Sequence, residues 1–172
     1  MLRKKSAFLE LLESIIIAII LASLIRLFLF QPFYIPSGSM EPALIPGDRI
    51  IVNKLVYRFS EPERGDVIVF RYPLNQNKDY IKRIVAMGGE RIQVVDSRLL
   101  INNQLTAEPY LPPALIYNDF GPVDVPPGTY FVLGDNRNNS QDSRIWGPLP
   151  RDYVVGEAVV IFWPLNRFGL IR

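Results

Sequence analysis

The 172-residue chain contains no cysteine and no histidine. Without histidine there is no Ser-His-Asp or Cys-His catalysis, no imidazole proton shuttle and no histidine-ligated zinc. Without cysteine, disulfides, thiolate chemistry and iron–sulfur clusters are excluded, while the redox compartment stays undecided. An excess of one charge is missing too. The 19 Lys and Arg stand against 17 Asp and Glu, and a net +2 offers no polybasic field to nucleic acid. The length allows one domain. Any enzyme built from this chain must move protons through Lys, Asp, Glu, Tyr or a metal-bound water on oxygen ligands.

Long apolar runs are also scarce, with one at the front of the chain. Ser14 to Phe30 reads SIIIAIILASLIRLFLF, with Arg26 as its only charge, and Arg3, Lys4 and Lys5 precede it. The run is just long enough to span a bilayer, and the stem of Arg26 can carry its guanidinium to the headgroups. Basic residues ahead of the span favour a cytoplasmic N-terminus, Glu10 and Glu13 counting for little. A cleaved leader shares the basic start and apolar run, but this run ends in Leu27-Phe28-Leu29-Phe30-Gln31-Pro32, bulky where a cleavage site needs small residues. The reading is a cytoplasmic tail over 1–13, a transmembrane anchor over 14–31 and an extracytoplasmic domain over 32–172.

Beyond Pro32 the apolar residues come in short runs rich in β-branched and aromatic types: Ile50 to Val56, Val67 to Tyr72, Tyr80 to Met87, Ile92 to Val95, Leu99 to Ile101, Tyr130 to Leu133 and Val154 to Trp163. Turn formers separate them, among them Pro46-Gly47-Asp48, Arg64-Gly65-Asp66, Gly88-Gly89 and Asn102-Asn103. No helix is expected in this part. Thr106 to Pro127 holds six prolines and reads as an extended surface excursion. The fold class is mainly β: a largely antiparallel, partly closed β-domain on one N-terminal transmembrane helix.

Three segments carry polar residues where packing does not call for them. In Pro36-Ser37-Gly38-Ser39-Met40-Glu41-Pro42 a rigid backbone surrounds Ser39, exposing its hydroxyl and orienting nearby N–H groups, although a polar turn leaving a membrane looks the same. Ser39 is nine residues beyond Phe30, within roughly 30 Å of the end of the span. In Asp79 to Met87, strand alternation puts Lys82 on one face with Tyr80, Ile84 and Ala86. Such surroundings lower a lysine pKa from about 10.4 toward about 7 or 8, where it serves as a base. An edge-strand lysine that deters aggregation is the plainer explanation. Arg83, always protonated, cannot be that base.

The third segment, Gly134 to Arg144, has no apolar side chain, and within it Asp135 and Asp142 are available to pair with Arg137 and Arg144. An EF-hand register from Asp135 fails, since Ser140 replaces the needed glycine and Trp146 the bidentate Glu. Asn138-Asn139-Ser140 matches a glycosylation acceptor only at a chance rate. Ser39 lies in neither G-x-S-x-G nor S-x-x-K.

Taken together, Ser37-Gly38-Ser39-Met40-x-Pro42-x-Leu44, Lys82-Arg83 and Gly134-Asp135-Asn136-Arg137-x-x-Ser140-x-Asp142-Ser143-Arg144 resemble the motif boxes of the bacterial type I signal peptidases, with Pro46-Gly47-Asp48 and Gly65-Asp66-Val67 also matching. The resemblance runs from the anchor to about Trp163 and is closest to the compact, single-anchor members. It implies a membrane-bound serine endopeptidase that removes signal peptides from exported preproteins, cutting after small residues in an Ala-x-Ala pattern. Ser39 is implied as nucleophile and Lys82 as base. The Ser37 hydroxyl and the Ser39 N–H would form the oxyanion hole, and Ser140 would hydrogen-bond and orient Lys82. Asp135, Arg137, Asp142 and Arg144 would support that geometry. No cofactor and no metal is implied.

The expected partners are signal peptides of exported preproteins, the lipid bilayer and the secretion translocon. The expected location is the bacterial cell membrane, single-pass with the N-terminus cytoplasmic, an internal membrane being left open. Ile35, Ile84 and Ala86 are placed in the substrate pocket from their closeness to Ser39 and Lys82. Phe33, Tyr34, Trp146, Phe162, Trp163 and Phe168 are read as a membrane-contacting edge or as core.

The chain departs from the family where many members have Gly-x-Pro-Gly-Asp after the lysine, having Ala86-Met87-Gly88-Gly89-Glu90 instead. Two rivals remain. A self-cleaving Ser/Lys repressor has no use for an anchor. A membrane-anchored non-catalytic β-module that binds exported proteins has no chemical need of Ser39, Lys82 and Ser140 together.

Overall fold

A computed structural model describes residues 7–171, the side chains of residues 7 and 24–28 excepted. Arg3, Lys4, Lys5 and the Arg26 side chain therefore lie outside the described residues. Helix α1 runs over Ala7–Phe28 and carries apolar side chains all round; Phe8, Leu11, Ile15, Ile17, Ile19 and Leu21 are all exposed. Among the described residues no helix is long and apolar enough to cross a membrane, and the described side chains of α1 stop at Ser23.

The chain then turns directly into strand β1 (Phe30–Tyr34), so Phe30 and Gln31 belong to the β-domain, not to the span expected over 14–31. The reason is pairing: Phe30 to Tyr34 lie opposite Asn53 to Arg49 of β2 (Arg49–Asn53). There follow a one-turn helix α2 (Val56–Phe59), β3 (Val67–Tyr72) and the long β4 (Asn75–Met87). Next come β5 (Arg91–Val95), β6 (Arg98–Ile101), β7 (Gln104–Leu105), β8 (Phe120–Asp124) and β9 (Thr129–Leu133). The last elements are a second one-turn helix α3 (Ser143–Trp146), β10 (Leu149–Pro150), β11 (Val154–Trp163) and β12 (Gly169–Leu170).

The strands form two antiparallel sheets. One follows the order β1-β2-β11-β3-β4-β9-β10, with β12 on β11; the other is β7-β6-β5-β8. The expected partial closure is not found. The first sheet has free ends at β1 and at β10, which is two residues long and finishes with Pro150, a residue with no N–H to extend a ladder. The short helices α2 and α3 are further departures from the sequence reading. Tyr34, Trp163 and Phe168 are exposed, whereas Phe33 and Trp146 pack against the core.

Strand β4 organises the core. It pairs with β3 through Ile68↔Lys82 and Val67↔Arg83, and with β9 through Arg83↔Leu133 and Ile84↔Val132. A register shift between Ile84 and Ala86 breaks the simple alternation expected of this strand. Ile84 packs with Ile68, Phe70 and Val132, while Ala86 joins Val85, Ile92, Phe131 and Leu133 against the second sheet. The stretch from Thr106 to Pro127 is more than a surface excursion. Tyr117 and Val125 enter that core, and Phe120–Asp124 is strand β8.

Candidate active site

Ser39 sits in a single 3-10 turn, Gly38–Met40, between β1 and β2. The turn is held from below by Met40 and Leu44, both fully buried. Its entry is pinned by Ile35 N–H donating to Asp48 C=O at 2.9 Å and Gly47 N–H donating to Ile35 C=O at 2.9 Å. The third polar segment grips it from outside: Asn136 donates its backbone N–H to Ser39 C=O at 3.1 Å and its side-chain amide to Gly38 C=O at 3.0 Å. This approach requires Gly134, because a Cβ there would collide with Ser39 C=O and Ser140 Oγ.

Lys82 comes to the same point from β4. It is 3% exposed, and its Nζ lies 2.8 Å from Ser39 Oγ and 2.7 Å from Ile81 C=O. The Tyr80 ring centroid is 5.7 Å from Nζ. Burial pushes the Lys82 ammonium down to about 8, against the opposing pull of the Asp142 and Asp135 carboxylates. A lysine that is largely neutral at mildly alkaline pH, in hydrogen-bond reach of a serine hydroxyl, can accept its proton. Ser37 Oγ is 3.5 Å from Ser39 Oγ, on the exposed side of the turn.

Ser140 departs from expectation. Among the described residues its Oγ is buried without a hydrogen-bond partner, while Lys82 Nζ bonds Ser39 Oγ and Ile81 C=O. The surrounding ion pairs are partly rearranged as well. Asp142 does pair with Arg144, through contacts of 2.8 Å to both Nε and Nη2, and it also caps α3 and accepts Gly134 N–H at 3.1 Å. Asp135 instead receives Arg83 at 2.9 and 2.7 Å. Arg137 donates to Glu108 at 3.1 and 2.6 Å and to Gly134 C=O at 3.1 Å.

Glu108 was missed in the sequence although a signal exists: it is the only charged residue between Thr106 and Tyr117. From the same segment Tyr110 lays its ring 4.0 Å from the Arg83 guanidinium and donates its hydroxyl to Glu108 at 2.8 Å.

Two adjoining cavities open beside Ser39 and Lys82. One of about 450 Å³ is lined by Ser37, Ser39, Asp79, Lys82, Asn139 and Gln141. The other, about 50 Å³, is walled by Phe33, Ile35, Ile50, Val69 and Ile81; Pro36, Asp79, Tyr80 and Ile81 border both. Ile35 is among the residues that wall the smaller cavity. Ile84 and Ala86 are fully buried and line neither cavity, so the apolar wall comes from Ile81 on the other face of β4. A larger cavity of about 670 Å³ lies over the second sheet, among Ser97, Leu99, Leu111 and Ile116, and includes neither Ser39 nor Lys82.

The sequence and the fold have known relatives. The family model described as signal peptidase, peptidase S26, matches residues 8–163. Signal peptidase I of Leptolyngbya laminosa is 45% identical over 95% of this chain and 84% of its own length. Signal peptidase I T of Bacillus subtilis is 41% identical over 96% of this chain and 90% of its own length. Among solved structures, a signal peptidase I from Enterococcus faecalis superposes with a TM-score of 0.51 at 33% identity, covering 57% of this chain and 97% of that one. The chain belongs to the signal peptidase, S26 peptidase, family.

Proposed function

We infer that the chain is a membrane-bound serine endopeptidase that removes signal peptides from exported preproteins through a Ser39/Lys82 dyad. The observation that carries this reading is the 2.8 Å approach of a buried, partner-poor lysine amine to a serine hydroxyl at the floor of an open cleft. Neutral Lys82 takes the Ser39 proton as Oγ attacks the scissile carbonyl. The oxyanion is held by the Ser37 hydroxyl and the Ser39 N–H, each worth on the order of 3 kcal/mol. Lys82 ammonium then protonates the departing amine, the mature protein leaves, and an ester joins the signal peptide to Ser39. Lys82 next deprotonates a water, whose attack frees the peptide carboxylate and restores Ser39. The buried Arg83–Asp135 and Arg137–Glu108 pairs, with Asp142 and Arg144, keep the two segments in register.

The substrate lies extended between β1 and β4, as in strand addition, with alternate side chains read by pockets. The small cavity walled by Ile35 and Ile81 suits a methyl side chain, which agrees with cutting after Ala-x-Ala. Helix α1, with 22 residues, is about 33 Å long at 1.5 Å per residue, and although its described residues alone do not make a span, the sequence from Ser14 to Phe30 carries a single charge. It serves as the anchor, leaving a cytoplasmic N-terminus and a catalytic domain outside the bacterial cytoplasm, near lipid and the secretion translocon.

The test is cleavage of a preprotein bearing an Ala-x-Ala site by the detergent-solubilised protein, comparing wild type with Ser39→Ala and Lys82→Ala. Mature product from the wild type alone is expected. Equal cutting by all three would remove both residues from the chemistry, and binding without cutting by all three would favour the anchored binding module.

A further inference from the structure

We propose that Asp79 makes the enzyme select substrates by charge, disfavouring acidic and favouring basic side chains at the fourth position before the cut. The inference rests on the reading of Ser39 and Lys82 as the cutting site. Asp79 borders both cavities of the cleft. Of all the residues lining them, Asp79 and Lys82 alone are ionisable to a full charge near neutral pH, and Lys82 must be neutral to act as base. The working cleft therefore carries one fixed negative charge, at its mouth.

The placement follows from the strand. Asp79 precedes Lys82 by three residues, about 10 Å along β4 at 3.3 Å per residue. An extended substrate advances by the same increment, which brings Asp79 alongside residues some three positions from the scissile carbonyl. Asp79 shares the face of β4 with Ile81 and borders the small cavity with it, so the carboxylate stands at the rim past which the substrate continues beyond that cavity. Asp79 is exposed, and among the described residues no hydrogen bond or ion pair engages its side chain. Arg71 stands opposite it in register on β3 without closing a salt bridge, so the charge is left for the substrate.

Folding does not explain an unengaged carboxylate here. It caps no helix, holds no turn and pairs with no cation, unlike Asp48, Asp66, Asp135 and Asp142, each of which accepts named hydrogen bonds.

The experiment uses the full chain in a non-ionic detergent and peptides identical except for Lys, Gln or Glu at the fourth position before the cut. For wild type at low salt, kcat/KM for the Lys peptide is expected to exceed that for the Glu peptide by about fivefold, the scale of one exposed charge pair gained against one repelled. The ratio should shrink as salt is raised toward 1 M, where the screening length is about 3 Å. Within Asp79→Asn the ratio should fall to near one, and within Asp79→Lys it should invert. Because each ratio is taken within one variant, a loss of folded protein cancels. A ratio that stays at its wild-type value in both variants overturns the proposal, as does a wild-type ratio near one. Failure of the wild type to cut any of the peptides would overturn the protease reading instead, and this one with it.

Discussion

The two faces of β4 place consecutive cations in opposite situations. Lys82 and Arg83 are 3% and 1% exposed, so both are withdrawn from water to the same degree. Arg83 meets a bidentate carboxylate, Asp135, a backbone oxygen, Gly65 C=O at 2.7 Å, and the Tyr110 ring. Lys82 meets a hydroxyl, its neighbour's carbonyl and an aromatic ring, and the carboxylates of Asp142 and Asp135 act on it only through space. Burial with a contact counter-ion fixes a charge; burial without one drives the proton off. One strand thus carries an ion-paired cation and an amine that sheds its proton more readily side by side, and the difference between them is the distance to a carboxylate.

The largest break in that contrast is to make position 82 resemble position 83. Lys82→Arg keeps a cation but removes the buried amine that can lose its proton, so kcat/KM on an Ala-x-Ala peptide should fall by at least about 10⁴-fold. Turnover within tenfold of wild type would remove Lys82 from the proton path. The reciprocal break is Asp135→Ala, which strips the counter-ion from Arg83. It should destabilise the fold by about 3–5 kcal/mol, read by denaturant unfolding. Replacing Arg83 and Asp135 together by Met and Leu should recover most of that loss, because an apolar pair of similar volume needs no compensation. A double variant as unstable as the single one would mean that the pair holds the fold through its geometry, not its charge.

The sequence carried much of this arrangement, and the parts it hid share a cause. Strand lengths, turn positions and the apolar setting of Lys82 follow from local pattern, since alternation and turn chemistry act over a few residues. Asp142 with Arg144 was legible for the same reason, the two being in one loop. Asp135 with Arg83 and Arg137 with Glu108 were not, because 52 and 29 residues separate the partners and only the fold brings them together. Ile84 and Ala86 line neither cavity for two different reasons: Ile84, before the register shift, is packed under Ile68, Phe70 and Val132, and Ala86, beyond it, lies in the core with Phe131. The resemblance implies a Ser140–Lys82 bond, and among the described residues Ser140 Oγ has no partner.

The contrast can also be sharpened without destroying it, by moving the carboxylates that act on Lys82 from a distance. On the proposed reading Lys82 acts when neutral, so kcat/KM should rise about tenfold per pH unit below the Lys82 pKa and level off above about 8. Asp142→Asn removes the carboxylate that most favours the ammonium form, so the pKa falls and the rising limb should move to lower pH. Asparagine caps a helix about as well as aspartate, which preserves the Arg144 N–H contact at the start of α3 and limits the structural disturbance. A merely structural defect would lower the whole profile and leave its midpoint in place. A midpoint moving to lower pH identifies the titrating group as a cation under the influence of Asp142, and in this cleft the only such group is Lys82. A shift to higher pH, or a profile that is flat from mildly acidic to alkaline conditions, would mean that position 82 is not where the proton goes.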